Sequence, residues 1–326
     1  MEKRRQHPFT LVLANKLERK GIIWGRPRFR VYRNLLDQVT SDMKHFFLAV
    51  IFLGFAFSTT PVQAMINLHC SGQGPLIYLI GGGPGFTTWN LEPIQQQLKN
   101  NYRVCRWDMR GVGENAGLAI KPDQSALSQW LDDMQATLPP EPVILWGQSW
   151  GALQVLLFAR QHPQRVSKII LSNPVDPGLH SLELIEQKRF VHHDAEPRLT
   201  IDDIDTPAES LYIYQSKIAS YFVDAEQGWA YAKQFNKNDS NSRLNIRIWD
   251  EYRAVALTPD DMKRLAKKIS GVIYCEDDVL QPENYTEYKK LLPQPNKHHV
   301  LKDCAHFPWV ENRHDYFDVL STLISK

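Results

Sequence analysis

Several features that would point to a specialised protein are missing from this sequence. The net charge over 326 residues is only +2, which gives no general electrostatic case for binding nucleic acid. The four cysteines and the histidines show neither CxxC nor HxxxH spacing, so we expect no metal and no cofactor. No internal repeat or low-complexity tract is present. The hydrophobic and charged fractions are those of an ordinary globular protein, which excludes a disordered, collagen-like or polytopic membrane protein. What remains is a globular chain, 43% hydrophobic and 23% charged, long enough for one large α/β domain with an insertion or for two smaller domains.

The charge is unevenly distributed along the chain. Residues 1–64 contain 11 basic and 4 acidic residues, whereas residues 65–326 have a net charge of −5. Within the basic part, residues 43–64 follow the pattern of a secretory signal peptide: a charged start, an apolar run over 46–57 and small residues ending at Ala64. That run of 12 residues is short of the roughly 20 needed to span a bilayer. We therefore predict a secreted or periplasmic protein, cut after Ala64, with no stable membrane association after cleavage.

The predicted signal peptide lies unusually far inside the chain. One interpretation is that translation begins at Met43 and that residues 1–42 are a mis-assigned basic extension. The alternative is an uncleaved N-terminal membrane anchor with a basic cytoplasmic tail, which the positive-inside tendency allows. In both cases we expect residues 1–64 to stay outside the folded core.

Short apolar segments alternate with helical patterns through most of the remaining chain. Six of these segments are typical of buried strands: 76–80, 103–107, 142–146, 166–171, 272–274 and 299–301. Continuous apolar strands separated by helices predict a mostly parallel sheet covered on both faces.

Between residues 178 and 257 the alternation stops and only helical patterns appear. Helices are predicted there at 181–193, 207–222 and 225–235. We therefore predict an α/β core formed by 65–177 and 258–326, with 178–257 as an inserted helical cap. Such a cap would lie over the carboxyl edge of the sheet, where ligands bind in open α/β proteins.

A G-x-S-x-G motif at residues 147–151 follows one predicted strand and begins a helix. This setting is typical of a nucleophile elbow, in which a strained turn exposes the serine, here Ser149. A serine hydroxyl needs a base to activate it and an acid to orient that base, in the chain order serine, acid, histidine.

The base is predicted to be His306, which follows the last strand. Competing histidines are more typical of solvated or structural positions: His298 and His299 in or before that strand, and His192 and His193 in the cap. Spacing alone leaves the acid open among Glu276, Asp277 and Asp278.

Four stretches of the chain resemble the α/β-hydrolase family and, within it, the prolyl aminopeptidase (proline iminopeptidase) branch. GGGPG at 81–85 resembles the family's HGGPG, DMRGVGEN at 108–115 its DQRGxGxS, GQSWG at 147–151 its GGSWG, and AHFPWVEN at 305–312 its histidine loop. The resemblance covers about residues 66–326 and implies the α/β-hydrolase fold.

The resemblance also implies roles for individual residues. The family's acid loop, G-x-x-D-x-x-x-P, selects Asp278 when laid over 275–282, with Asp277 as the alternative. The oxyanion hole would be formed by the backbone N–H groups of Trp150 and Gly83. The sequence departs from the family motifs at Gly81, Gln148, Ala152 and Asn115.

Strand neighbours in the hydrolase fold imply two disulfides, Cys70–Cys105 and Cys275–Cys304. The alternative is four buried thiols. Disulfides would fit the oxidising compartment that the signal peptide indicates.

The family resemblance implies a serine hydrolase acting through an acyl-enzyme on a small-molecule or short-peptide substrate, without metal or cofactor. An aminopeptidase-like activity is slightly favoured, with a carboxylesterase, thioesterase or lactonase as the alternative and a non-catalytic binding protein as the less favoured one. Candidates for holding a free amine are the acidic cap residues Glu183, Glu186, Asp194, Glu196 and Glu209. Trp150, Trp249 and Tyr252 are candidates either for an apolar pocket or for packing. The oligomeric state stays open.

Overall fold

The computed structural model describes residues 65–188 and 207–326. The predicted N-terminal extension and signal peptide therefore lie outside the described residues, as do His192 and His193. None of the helices within the described ranges combines the length and the apolar character that crossing a bilayer requires.

Within this part of the chain, seven strands form one sheet in the order β1-β3-β2-β4-β5-β6-β7. The strands are β1 (His69–Ser71), β2 (Leu76–Ile80), β3 (Arg103–Arg106), β4 (Val143–Gln148), β5 (Val166–Ser172), β6 (Ile269–Cys275) and β7 (His298–Leu301). All neighbouring pairs are parallel except β1 with β3. The predicted mostly parallel α/β-hydrolase sheet is thus confirmed.

The sheet is buried on both faces because its central strands are apolar at successive positions. In β4, Val143 and Leu145 belong to the core on one face, and Ile144 and Trp146 to the core on the other. Successive side chains of a strand point to opposite faces, so a continuous apolar run supplies both cores at once.

Eleven α-helices accompany the sheet in the described ranges. They are α1 (Glu92–Leu98), α2 (Ala126–Thr137), α3 (Trp150–Gln161), α4 (His180–Lys188), α5 (Pro207–Ala219), α6 (Ala225–Ala232), α7 (Ser242–Val255), α8 (Pro259–Leu265), α9 (Glu283–Leu291), α10 (Pro308–Glu311) and α11 (Arg313–Ser325). Helices α4 to α8 all fall between β5 and β6, and α4 to α7 lie within residues 178–257, which agrees with an inserted helical cap. The cap boundaries at 178 and 257 stay a prediction.

Strand order reverses between β2 and β4, the two central strands that pair with each other. The chain leaves β2 toward β3 on one side and leaves β4 toward β5 on the other. The loops that follow these strands therefore diverge at their carboxyl ends and open a crevice there. The glycine loop at 81–85 follows β2, and Ser149 follows β4.

Both expected disulfides are present in the structure. Cys70 and Cys105 lie directly opposite each other in the antiparallel pair of β1 and β3. Cys275 ends β6, and its partner Cys304 lies in the loop after β7. The second disulfide thereby joins the two loops that carry the predicted acid and base.

Candidate active site

Ser149 occupies a strained turn between β4 and α3. Its backbone angles are φ 55° and ψ −121°, a region that side-chain-bearing residues rarely adopt and that is typical of a nucleophile elbow. Its N–H donates to the carbonyl of Ser172 at 3.1 Å. The turn also requires small neighbours. A Cβ on Gly147 would come within 2.4 Å of the Gly151 carbonyl oxygen, and one on Gly151 within 2.2 Å of the Ile80 carbonyl oxygen.

The structure brings His306 against Asp278. The Nδ1 of His306 lies 2.9 Å from Oδ2 and 3.0 Å from Oδ1 of Asp278. Both side chains are buried, each residue being 3% exposed. Because an ionised carboxylate only accepts hydrogen bonds, Nδ1 carries the proton in this pair, which leaves Nε2 as the basic nitrogen.

The neighbouring acids and histidines occupy different surroundings. Glu276 and Asp277 are exposed. Slight desolvation of the Asp277 carboxyl raises its pKa, and the like charges of Glu276 and Asp303 act in the same direction. His298 lies 3.1 Å from the Tyr274 hydroxyl and 2.7 Å from the Leu292 carbonyl. Burial lowers the pKa of His299, as does the charge of Lys326. Neither of these two histidines lines the cavity that holds His306.

Ser149 and His306 line the same cavity, which has a volume of about 390 Å³. Its walls come from the glycine loop after β2, the elbow, the His306 loop and helices α5 and α7. This cavity lies at the carboxyl end of the parallel strands, where the sequence analysis placed the ligand site.

The two predicted oxyanion donors lie beside the elbow. Gly83 lines the cavity and has φ 120°, a conformation that favours glycine. Trp150 is the first residue of α3, so its backbone N–H belongs to the unpaired donors at a helix start. Its indole is buried away from the lining, where it contacts Trp249 and Tyr252 edge-to-face with ring centroids at 4.9 Å and 5.7 Å. Of these three aromatic residues, only Trp249 lines the cavity.

Asn173 is a site residue that the sequence analysis missed. It follows β5 with φ 42°, and its side-chain NH₂ donates to Oδ2 of Asp278 at 2.6 Å and to the Ala305 carbonyl at 3.0 Å. One buried amide therefore joins the acid loop to the histidine loop. The sequence did contain a signal for this residue, since Asn173 is a polar residue directly after a predicted strand. Polar residues that follow parallel strands gather at one edge of the sheet.

Two further residues, Tyr221 and Glu311, connect the His306 loop to the cap, and no sequence pattern pointed to them. The Tyr221 ring stacks on the His306 imidazole with ring centroids 4.5 Å apart. The backbone N–H of His306 donates to the backbone carbonyl of Tyr221 at 3.0 Å. Glu311 accepts from the N–H groups of Ala305 and Val223, at 2.9 Å and 2.8 Å. Burial raises the pKa of Glu311 despite these donors, and the charge of Asp278 acts in the same direction.

The acidic cap residues are not brought into the described part of the cavity. Glu183 and Glu209 do not line it. Asp194, Glu196 and the Glu186 side chain lie outside the described residues.

A model of the α/β hydrolase fold family matches residues 75–312, well over half of the chain. The chain belongs to the α/β-hydrolase fold family. It is similar to the proline iminopeptidase of Clostridium botulinum, with 23% identity over 79% of this chain and 92% of that protein, in agreement with the branch that the motifs resemble. It is also 33% identical to the 2-hydroxymuconate semialdehyde hydrolase of Pseudomonas sp. strain CF600, over 42% of this chain and 53% of that protein.

A solved structure gives the same fold for this α/β hydrolase. The 2-hydroxy-6-oxo-6-phenylhexa-2,4-dienoate hydrolase of Rhodococcus sp. strain RHA1 matches with a TM-score of 0.59 and 18% identity, covering 80% of this chain and 95% of that one. Since the family model matches most of the chain and its curated relatives are hydrolases, the protein is an enzyme of this family.

Proposed function

We propose that the protein is a serine hydrolase with Ser149 as nucleophile, His306 as general base and Asp278 as the acid that orients the base. The observation that carries the proposal is the buried His306–Asp278 hydrogen bond in the wall of the cavity that the strained Ser149 also lines. A carboxylate at Nδ1 holds the imidazole in the orientation and tautomer in which Nε2 can accept the proton of a serine hydroxyl.

In the proposed reaction the Oγ of Ser149 attacks a substrate carbonyl and passes its proton to Nε2 of His306. The negative charge on the carbonyl oxygen is stabilised by the N–H groups of Trp150 and Gly83, each contributing about 3 kcal/mol to lowering the barrier. The leaving group takes the proton from His306 as the acyl-enzyme forms. Water, activated by the same imidazole, then releases the acid and restores Ser149.

The substrate is proposed to be a small acyl compound, either an ester-type molecule or a short peptide. Aliphatic and aromatic side chains such as Val175, Leu182, Ile213 and Phe235 line much of the cavity, which suits an organic acyl group. Aminopeptidase activity remains a second candidate because the similarity to a proline iminopeptidase extends over 79% of the chain.

Labelling with a fluorophosphonate tests the nucleophile. The unmodified enzyme should be labelled covalently, and Ser149→Ala should abolish both labelling and ester hydrolysis, with a loss in kcat of about 10³-fold or more. Ser210→Ala is the matched control, because Ser210 lines the same cavity on α5 and should keep both. Labelling that persists in Ser149→Ala would contradict the proposed role of Ser149.

A substrate panel distinguishes the two candidate activities. Proline and alanine anilides report aminopeptidase activity, and p-nitrophenyl esters report esterase activity. Turnover of the esters alone would refute the aminopeptidase candidate.

We also propose that the enzyme works in an oxidising compartment after export. The support is the pair of disulfides in the described chain, since such bonds persist mainly outside the cytosol. Mass spectrometry of the exported protein, with and without reductant, would give its N-terminus and its bridges. A cytoplasmic protein with four free thiols would contradict the proposal.

A further inference from the structure

Lys217 gives the described cavity wall a cationic character. Among the described lining residues, Lys217 is the only lysine or arginine, and no aspartate or glutamate is present. The other ionisable side chains there are His306 and the tyrosines Tyr214 and Tyr221. No hydrogen bond or ion pair joins the Lys217 ammonium group to the described ranges of the chain. The cavity therefore presents one cation that has no carboxylate of its own within the described wall.

Lys217 also belongs to the helix face that leads to the proposed base. Ser210, Tyr214 and Lys217 line the cavity from α5, at spacings of four and three residues that place them on one side of the helix. Tyr221, in the turn directly after α5, lines the same cavity and stacks on the His306 imidazole at 4.5 Å. Lys217 therefore belongs to the same cavity wall as the residue that contacts the proposed base.

A buried acidic residue beside Tyr214, Asp239, already has hydrogen-bond partners of its own. Asp239 is buried and does not line the cavity. Its carboxylate accepts from Thr87 at 2.9 Å, from the Trp89 indole at 3.1 Å and from the Asn236 backbone and side chain at 2.7 Å each. Four donors occupy this carboxylate, and no hydrogen bond or ion pair joins it to Lys217. The ammonium of Lys217, without a partner in the described ranges, is therefore available to an incoming ligand.

We propose that Lys217 binds a carboxylate on the acyl part of the substrate, a few bonds from the carbonyl that Ser149 attacks. This inference rests on the proposed serine hydrolase function and names its substrate class: acyl compounds with a free carboxylate. It also gives a physical reason why a substrate with a free amine would be disfavoured, because an ammonium group would enter beside a cation and meet no carboxylate in the described lining.

Matched aryl esters test the proposal. Their acyl chains, three to six carbons long, end in a carboxylate, an isosteric carboxamide or an ammonium group. We expect the enzyme to prefer the carboxylate ester over the carboxamide by about 5- to 30-fold in kcat/KM, a modest factor because the lysine is exposed to solvent. Lys217→Gln should remove this preference mainly through KM, and Lys217→Glu should shift it toward the ammonium ester.

Lys233→Gln is the control, because Lys233 is an exposed cap lysine outside the cavity lining. It should keep the preference unchanged. If the esters are hydrolysed in a Ser149-dependent way but the carboxylate is not preferred, or Lys217→Gln leaves the preference intact, the inference is wrong and the hydrolase function stands. If no ester is turned over and fluorophosphonate does not label Ser149, the proposed function itself fails.

Discussion

Replacing Asn173 with glycine should slow the chemical step while substrate binding is kept. Besides the Cys275–Cys304 disulfide, the side-chain amide joins the loop of Asp278 to the loop of His306, with contacts of 2.6 Å to the carboxylate and 3.0 Å to the Ala305 carbonyl. Glycine is the suitable replacement because the residue has φ 42°. Alanine would add strain of about 1 kcal/mol in this left-handed conformation.

The size of the effect follows from the two hydrogen bonds that are lost. A hydrogen bond to a buried carboxylate contributes about 1.5–3 kcal/mol, and one to a neutral carbonyl about 1 kcal/mol. The free energy of unfolding should therefore fall by about 2–4 kcal/mol. Asp278 keeps His306 and the Leu280 N–H at 3.0 Å as partners, so the imidazole is loosened but not released. We expect kcat to fall about 10- to 100-fold, less than the roughly 10⁴-fold expected for Asp278→Asn.

Asn284→Ala provides the matched control. Asn284 is also fully buried, and its side chain donates to the Pro174 carbonyl at 3.1 Å without contacting the acid or the histidine loop. This variant should lose about 1–2 kcal/mol of stability and keep kcat within about twofold. Steady-state kinetics on an aryl ester give kcat for both variants, and urea unfolding gives their free energies of unfolding. If both variants lose kcat equally, or if Asn173→Gly keeps it, Asn173 does not position the proposed triad.

Three further outcomes follow from the same geometry. Gly82→Ala should reduce kcat/KM for an aryl ester about 10-fold or more, because the new Cβ would lie 2.9 Å from the Cβ of Ser149. Gly117→Ala is the control, because a Cβ at Gly117 meets no atom within 4 Å. Replacing Cys275 and Cys304 with serine removes a disulfide between residues 29 apart in sequence. The free energy of unfolding in urea should fall by about 3–4 kcal/mol, and an unchanged unfolding midpoint would contradict this. Burial raises the pKa of Glu311 above its ordinary 4.5, so the folded protein binds its proton more tightly than the unfolded chain does. Its contribution to stability is then present at low pH and is lost as pH rises through the folded-state pKa. In Glu311→Gln this decline should be absent from unfolding curves measured between pH 4.5 and 7, and an identical slope in both proteins would refute the assignment.

Most of the sheet was predictable because its strands are apolar without interruption. The observed β2 coincides with the prediction at 76–80, and β5 extends it by one residue, to Ser172. The start of β6 was missed by three residues because Ser270 and Gly271 interrupt the apolar pattern, although neighbouring β5 pairs with this segment. Pairing between strands, which a single sequence does not display, decides such ends.

The candidate triad was predictable for a different reason. Each member follows a strand, and in a parallel sheet all such positions converge at one edge. Motif and chain order then select Ser149 and His306, whereas the acid needed the family pattern to separate Asp278 from Asp277. In the structure the two residues differ in their surroundings: Asp278 is buried against the imidazole, whereas Asp277 is exposed.

The cap contacts were not predictable, because a helical pattern gives spacing but not the rotation of a helix about its axis relative to the core. Nothing in the sequence shows that Tyr221 will lie on the imidazole while Glu209, on the same segment, lies outside the cavity lining. For the same reason, the sequence did not indicate that Lys217 would line the cavity. A helix is rotated by the packing of its apolar face, and that packing depends on partners far away in the chain.

The contacts around His306 imply that the cap does more than cover the cavity. The backbone N–H of this histidine is paired with a cap carbonyl, its ring is stacked on a cap tyrosine, and Glu311 joins the histidine loop to the cap at Val223. On the other side, Asn173 and Asp278 hold the same histidine from the core. The imidazole is therefore fixed between two parts of the molecule, and a displacement of the cap segment around Tyr221 would move the proposed base as well as the substrate-binding wall. The proposed binding of the substrate by α5 and the placement of the proposed proton acceptor therefore depend on the same stretch of chain.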